Sequence, residues 1–285
     1  MNLGVFGLGI IGRVWAENLH RDGEVVRGWN RTPKKDLPFF TADARSAAAA
    51  SDLLLLVVAD PPAVQEVLDR IAPVLRAGQV VVQSSTISPE ATLRFAGQVE
   101  KTGASFLEAP FMGSRPAAEQ RQMVFYAGGD SSVLERARPV LARLSRAIEY
   151  IGPLGSASAL KLAMNINIAM VAQALCESRA LARAAGISDD RYFSALKLNV
   201  GHSGLAALKE PKLRSGDITP QFSVKHMAKD LRLAAETAGG LDLPQLKEVM
   251  KLYADALARG WAEDDFISLT RLLALRPSAA RKEGA

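Results

Sequence analysis

No proline or glycine interrupts the chain from residue 156 to residue 185, and Gly155 and Gly186 bracket the stretch. Ser156 or Ser158 can cap its start, and Gly186 can end it in a left-handed C-cap. The spacing predicts one helix of about thirty residues, well above the usual length in globular proteins. Its first half is apolar almost all round, which requires burial on several sides. In that half sit Lys161 and Asn165, four apart and therefore on one face. A lysine in such surroundings is costly unless it has a partner or a task. Two readings stand: a lysine that snorkels from a helix start, or a catalytic proton donor.

The segments before this helix alternate between strand and helix. Residues 3–6 form a short apolar strand, and Gly7-Leu8-Gly9-Ile10-Ile11-Gly12 follows at once. Residues 13–20 then have helical spacing. Strand, Gly-x-Gly-x-x-Gly and helix in this order are the context of a dinucleotide fingerprint. Gly7 allows the tight turn, Gly9 admits a pyrophosphate close to the backbone, and Gly12 lets the helix lie against the strand. The helix N-terminus then offers N–H groups and a positive dipole end to phosphate. The second strand, residues 24–29, ends in Asn30-Arg31-Thr32, where an NAD-binding domain usually carries Asp or Glu. Without a carboxylate there, and with Arg31 able to pair with a 2′-phosphate, NADPH is expected over NADH. An arginine that only stacks on adenine is the alternative.

A strand is expected at 52–59, continuously apolar from Leu53 to Ala59, as a strand covered on both faces should be. It ends in Asp60-Pro61-Pro62, which places Val58, Ala59 and Asp60 at the carboxyl edge of a sheet. Strands are also expected at 79–83, 104–108, 124–129 and 147–151, with helices at 44–50, 63–75, 89–102 and 133–144. Ser84-Ser85-Thr86 closes the 79–83 strand; its hydroxyls contact the nicotinamide end of a cofactor or merely cap the next helix. Residues 109–116 read as a loop. After Pro153 only helices are expected: the long one, then 188–198, 205–213, 223–238, 244–259 and 264–273. This is an α/β class chain: a doubly wound amino-terminal domain and an all-helical carboxy-terminal domain, joined by the long helix.

Bulk properties narrow the partners. A chain of 285 residues, 48% hydrophobic, suits two domains with substantial cores. Basic residues number 35 against 30 acidic ones, for a net charge of +5. They are scattered rather than striped, which fits small anions better than nucleic acid. The one cysteine, Cys176, permits no disulfide within the chain and suits a reducing, cytoplasmic setting. The apolar run 53–59 is too short for a bilayer, and the amino-terminus enters a strand directly, so no membrane span or signal peptide is expected. The Ser/Ala/Arg/Lys-rich stretch 277–285 should fray.

The combination is similar to the β-hydroxyacid dehydrogenase family, the group related to 3-hydroxyisobutyrate dehydrogenase and the glyoxylate and succinic semialdehyde reductases. Gly7 to Gly12 match the family's opening, and Asn30-Arg31-Thr32 resembles its NADP-preferring members. Ser85-Thr86 falls on a Ser-Thr pair whose threonine touches the nicotinamide part. Gly152-Pro153-Leu154-Gly155 followed by Lys161 and Asn165 matches the signature whose lysine is catalytic. Lys229-Asp230-Leu231 with Leu233-Ala234 matches an element whose lysine lies near the cofactor. The resemblance implies a cofactor-binding domain over 1–153, with Val58, Ala59 and Asp60 also at the cofactor. It implies a substrate and dimerisation domain over 154–285, with Lys161 beside a cleft. An apolar helical domain this small should complete its core with a partner subunit, so a homodimer or homotetramer is expected, along with a small acidic substrate and no metal. Lys161 would act as general acid or base and Asn165 would hold the substrate oxygen or the lysine; burial favours the neutral amine.

Two departures mark the loop that the family uses for substrate. It usually reads Ala-Pro-Val-Ser-Gly, and here Met112 replaces the serine, leaving Gly113 and Ser114 to offer N–H groups and a hydroxyl. Arg121 stands where semialdehyde reductases commonly have glycine. An imine reductase shares the architecture but usually lacks the lysine, and a non-catalytic NADP-binding relative is a further alternative.

Overall fold

The structure, a computed structural model, describes residues 1–273; the stretch 277–285 lies outside the described residues. Two compact units divide within the long helix: Met1–Met164 with Glu236–Gly239, and Asn165–Ala235 with the chain from Gly240 on.

The first unit is built on an eight-stranded sheet in the order β2-β1-β3-β4-β5-β7-β6, with β8 paired to β7. The first five strands are parallel: β1 (Asn2–Phe6), β2 (Val25–Trp29), β3 (Leu53–Leu56), β4 (Val80–Gln83) and β5 (Ser105–Glu108). Then β7 (Met123–Gly128) runs antiparallel to β5 and to the two-residue β6 (Phe111–Met112), while β8 (Ser145–Gly152) is parallel to β7. Alternate strand residues feed two cores. Leu3, Val5, Leu53, Leu55, Val80 and Val82 pack on one face with Trp15 and Leu19 of helix α1 (Ile10–Arg21) and Leu134 and Ala137 of α6 (Ser131–Leu141). Phe6, Leu54, Leu56 and Val81 pack on the other with α2 (Ala44–Ala49), α3 (Pro61–Ile71) and α4 (Pro89–Glu100). The near-continuous apolar reading of the parallel strands is the result of this double cover. Because β1 is flanked by β2 and β3, the chain reverses its direction of travel between β1 and β3, where open sheets bind ligands beyond their carboxyl ends.

Two short elements escaped the sequence pattern. The 109–116 loop contains β6 and leads into α5 (Arg115–Glu119). Two and five residues are too few to show a period, and α5 is started by Pro116 rather than by amphipathic spacing. The turn after α5 explains Arg121. Its φ is 60, the one positive value off glycine among the described residues. The position needs the left-handed conformation, which glycine supplies without strain. Here Arg121 adopts it and holds both oxygens of Asp22 at 2.7 Å. Its departure from the family is therefore tied to the conformation of this turn.

Helix α7 (Ser156–Ala184) has 29 residues, the length the sequence predicts. By length and composition alone it could cross a bilayer, which the run 53–59 could not. In this fold it is a core helix. Ala169, Ala172, Leu175 and Cys176 pack into the second unit with Phe193, Met227, Leu231 and Tyr253. Burial pushes the Cys176 thiol up to about 12, so it serves as a neutral core side chain. Arg179 is buried as well and is matched by Asp189 at 2.7 Å and the Leu213 carbonyl at 2.6 Å.

The second unit continues with α8 (Asp189–Lys197), α9 (Gly204–Ser215), α10 (Val224–Ala238) and α11 (Pro244–Ala258). The last predicted helix is a 3₁₀ segment instead, Phe266–Leu273. Asp265 explains the difference: its carboxylate takes the Ile267 N–H at 3.1 Å, and its carbonyl takes the Ser268 N–H, an i→i+3 bond.

Candidate active site

The glycine turn behaves as its sequence demands. A side chain on Gly7, at φ 104, would meet the Val57 carbonyl at 2.2 Å, and one on Gly12 would meet the Gly7 carbonyl at 1.9 Å. At Gly9 nothing lies within 4 Å. Gly9 is also the N-cap of α1 and gives that helix no side-chain cap. The turn is thus closed toward β3 and open at Gly9, and the first N–H groups of α1 have no side-chain cap. This is the shape and polarity that a pyrophosphate requires. Leu8, Gly9 and Ile10 line a cavity of about 670 Å³ together with Arg13, Lys34 and Arg115.

The residues beyond β2 and β3 divide into struts and contacts. Asn30 receives the Leu8 N–H at 2.9 Å and donates to the Thr32 carbonyl at 2.8 Å, so it braces the glycine turn against its own loop. Arg31 is largely exposed and reaches Glu66 of α3 at 3.3 Å; Glu66 also holds Arg70 at 3.0 Å. No carboxylate stands in Asn30-Arg31-Thr32 directly after β2, but the fold brings one to Arg31 from α3. Asp60 spends its carboxylate on capping α3 through the Ala63 N–H at 2.9 Å. Val58 donates its N–H to Ser85 at 2.9 Å, and Ala59 is exposed. The cap of α4 is Ser88, at 3.2 Å from the Ala91 N–H, and not the 84–86 hydroxyls. Thr86 is half-buried at the same sheet edge.

Lys161 is 8% exposed, so it does not snorkel. Its amine donates to the Met112 thioether at 3.1 Å. Met112 is held in β6 opposite Val124, and its neighbour Phe111 packs on Trp15 with ring centroids 4.9 Å apart. Gly113 follows at φ 124, where a side chain would strike the Met123 sulfur at 2.8 Å. Ser114 stands at the start of α5 without spending its hydroxyl on a cap. The structure therefore joins the lysine directly to the loop position where the family's serine is replaced.

One turn further along α7, Asn165 is 2% exposed and donates to Asp230 at 2.5 Å. Lys229 reaches the other oxygen of Asp230 at 2.8 Å. Asn165 is thus anchored on Asp230. Asp230 carries no signal of this in sequence beyond its place beside Lys229.

The helix start holds a residue that sequence reasoning passed over. Neither Ser156 nor Ser158 caps α7 in the ordinary way. Glu108, the last residue of β5 and fully buried, accepts the Ala157 N–H at 3.1 Å, the Ser158 N–H at 3.0 Å and the Ser158 hydroxyl. Burial pushes its carboxyl above the ordinary range, and these hydrogen bonds pull the other way.

The sequence also matches known families along nearly its whole length. Residues 2–152 fit the NAD binding domain of 6-phosphogluconate dehydrogenase. Residues 155–273 fit the family described as NAD-binding of NADP-dependent 3-hydroxyisobutyrate dehydrogenase. The chain belongs to the β-hydroxyacid dehydrogenase family. The 2-hydroxy-3-oxopropionate reductase of Escherichia coli (strain K12) is 31% identical over 285 residues, covering 96% of this chain and 98% of its own. Glyoxylate/succinic semialdehyde reductase 2, chloroplastic, of Arabidopsis thaliana is 28% identical and covers 96% and 79%. The solved Mycobacterium tuberculosis 3-hydroxyisobutyrate dehydrogenase with L-serine superposes with a TM-score of 0.86 at 27% identity, covering 96% and 99%. The two-part α/β architecture and the NAD(P)-binding fold are those of this dehydrogenase family.

Proposed function

We propose that the protein is an NADPH-preferring reductase that interconverts a small aldehyde- or keto-acid and its hydroxyacid, with Lys161 as proton donor and acceptor. The observation that carries the reading is the buried Lys161 amine, 3.1 Å from the sulfur of Met112 in the loop that faces substrate in this family. When bound, the nicotinamide supplies the hydride. Gly7 to Gly12 would hold the pyrophosphate, and Arg31 with Thr32 the 2′-phosphate. The ammonium of Lys161 polarises the carbonyl and gives its proton to the oxygen as negative charge develops there. In the reverse direction the neutral amine takes the hydroxyl proton. Gly113 N–H and the Ser114 hydroxyl orient the substrate carboxylate. The relatives' names support this substrate class, and the cytoplasm and a homo-oligomeric state follow from the same reading. Small aldehydes and keto-acids assayed by loss of NADPH absorbance test it. NADPH binding without turnover on any of them would refute catalysis in favour of a non-catalytic relative.

Arg31→Ala should raise KM for NADPH by about tenfold or more and leave KM for NADH within about twofold, since one hydrogen bond to a charged group is worth about 1.5–3 kcal/mol. Glu66 competes with the 2′-phosphate for this guanidinium, so Glu66→Gln should lower KM for NADPH. Equal losses for both cofactors in Arg31→Ala would reduce Arg31 to a stacking role.

Met112 makes a weak acceptor and no donor, and it suits an apolar substrate portion. Wild type should be poor on the smallest acids. Met112→Ser restores a donor at Lys161's side and should shift kcat/KM toward compact acids such as glyoxylate by about tenfold, relative to a substrate with an apolar group. The ratio of kcat/KM between one substrate of each kind is the measurement. An unmoved ratio places Met112 outside the specificity determinants.

A further inference from the structure

We propose that Glu108 is the positioning residue of this site. Lodged at the start of α7, its carboxylate fixes the first turns of the helix and with them the place of the Lys161 amine over Met112. The inference rests on Lys161 as the proton donor. Glu108 comes from β5, 49 residues before the first helix N–H that it caps. A local Ser, Thr or Asn would cap a helix without burying a carboxylate. What the distant glutamate adds is a link. It is the residue immediately before Ala109, at the root of the loop that carries Met112. One residue therefore ties both ends of the Lys161–Met112 contact, by covalent chain on the loop side and by hydrogen bonds on the helix side.

The surroundings are built for this carboxylate. Gly128 leaves it room, since a side chain there would lie 2.3 Å from Glu108 Oε1. The Ser158 hydroxyl also meets Thr92 of α4 at 2.8 Å, so a second helix is fastened to the same point. A carboxylate at a helix N-terminus is favoured by the helix dipole as well. Small displacements of a catalytic group are costly, and about 1 Å can remove about 10²-fold in rate.

Glu108→Gln keeps the size but turns an NH₂ group toward N–H donors. In the full chain it should lower kcat by about 10–100-fold while the Kd for NADPH stays within about twofold. Ser158→Ala, which removes one of the three bonds, should lower kcat by roughly 3–10-fold. Amide exchange should quicken over residues 156–164 and stay unchanged over β1, β3 and β4. A readout that needs no turnover runs alongside: reductive trapping of Lys161 by glyoxylate and cyanoborohydride, followed by mass spectrometry. Its rate should change in Glu108→Gln while the rates of other lysines do not. Absence of turnover in the wild type would count against Lys161 as the proton donor, and the trapping rate would then decide Glu108. A Glu108→Gln protein that is less stable but keeps kcat and the trapping rate within about twofold of wild type makes Glu108 only a cap and overturns the proposal. If that variant does not fold, Ser158→Ala with unchanged kcat and trapping overturns it equally.

Discussion

Lys161→Ala is expected to lower kcat by about 10²–10⁴-fold, the usual worth of a positioned general acid. The Kd for NADPH should hardly move, because the glycine turn and the Arg31 loop are separate from α7 in sequence and are braced by their own contacts, Asn30 to Leu8 and to Thr32. The loss should appear in kcat and kcat/KM together, the pattern of an interaction made only in the transition state. Lys161→Arg sharpens the test. The guanidinium keeps the positive charge but does not give up a proton near neutral pH. If Lys161 acted only as a fixed charge on the developing oxyanion, arginine would restore much of the rate. If it transfers the proton, arginine should remain within about tenfold of alanine. An alanine variant with more than about a third of wild-type kcat removes Lys161 from the chemistry.

The parts of this molecule that were legible in sequence are those set by local chemistry. The fingerprint from Gly7 to Gly12 is readable because each glycine answers a short-range demand: a turn, an open face, a close approach to a carbonyl. The length of α7 is readable because nothing in it can stop a helix. What was not legible is pairing at a distance. Glu108 sits at the end of an apolar strand, where an acid is unusual. That is the one signal it gives, and only the topology shows that α7 starts beside it. Asn165 shares a face with Lys161 and was expected near it, yet the partner it keeps is Asp230, 65 residues away. Glu66 lies on a helix whose spacing says only that the residue is outward, and the fold turns it toward Arg31. Arg121 was legible in principle. A residue standing where relatives carry glycine points to a positive φ, and the structure has it at 60.

Lys209→Met should destabilise the helical unit by about 3–5 kcal/mol, the cost of leaving a buried charge without its partner. The side chains of Lys209 and Asp265 are 1% and 0% exposed. The amine meets both carboxylate oxygens, at 2.8 and 2.9 Å, and the Gln221 side chain at 3.0 Å. Burial holds the Lys209 amine below its ordinary range, and the carboxylate works against that shift. In many proteins replacing both members of a buried pair with apolar residues restores stability. It should not here, because Asp265 also accepts the backbone N–H groups of Gln221 and Ile267, at 2.9 and 3.1 Å. An apolar residue at 265 would leave both unsatisfied, at about 1–3 kcal/mol each. Lys209→Met with Asp265→Asn keeps an oxygen for one of them and removes the charge, so it should recover part of the loss, and Lys209→Met with Asp265→Leu should recover less. Urea unfolding followed by circular dichroism ranks the three variants. A single Lys209→Met cost below about 1 kcal/mol would show that water or a rearranged neighbour already compensates the aspartate. The contrast with Glu108 is the point of the pair: both are buried charges, but Lys209 fastens α9 to the 3₁₀ segment within the helical core. Its loss should therefore lower stability and leave the Kd for NADPH unchanged, whereas Glu108 ties a helix to the loop proposed to face substrate, and its loss should be read in kcat.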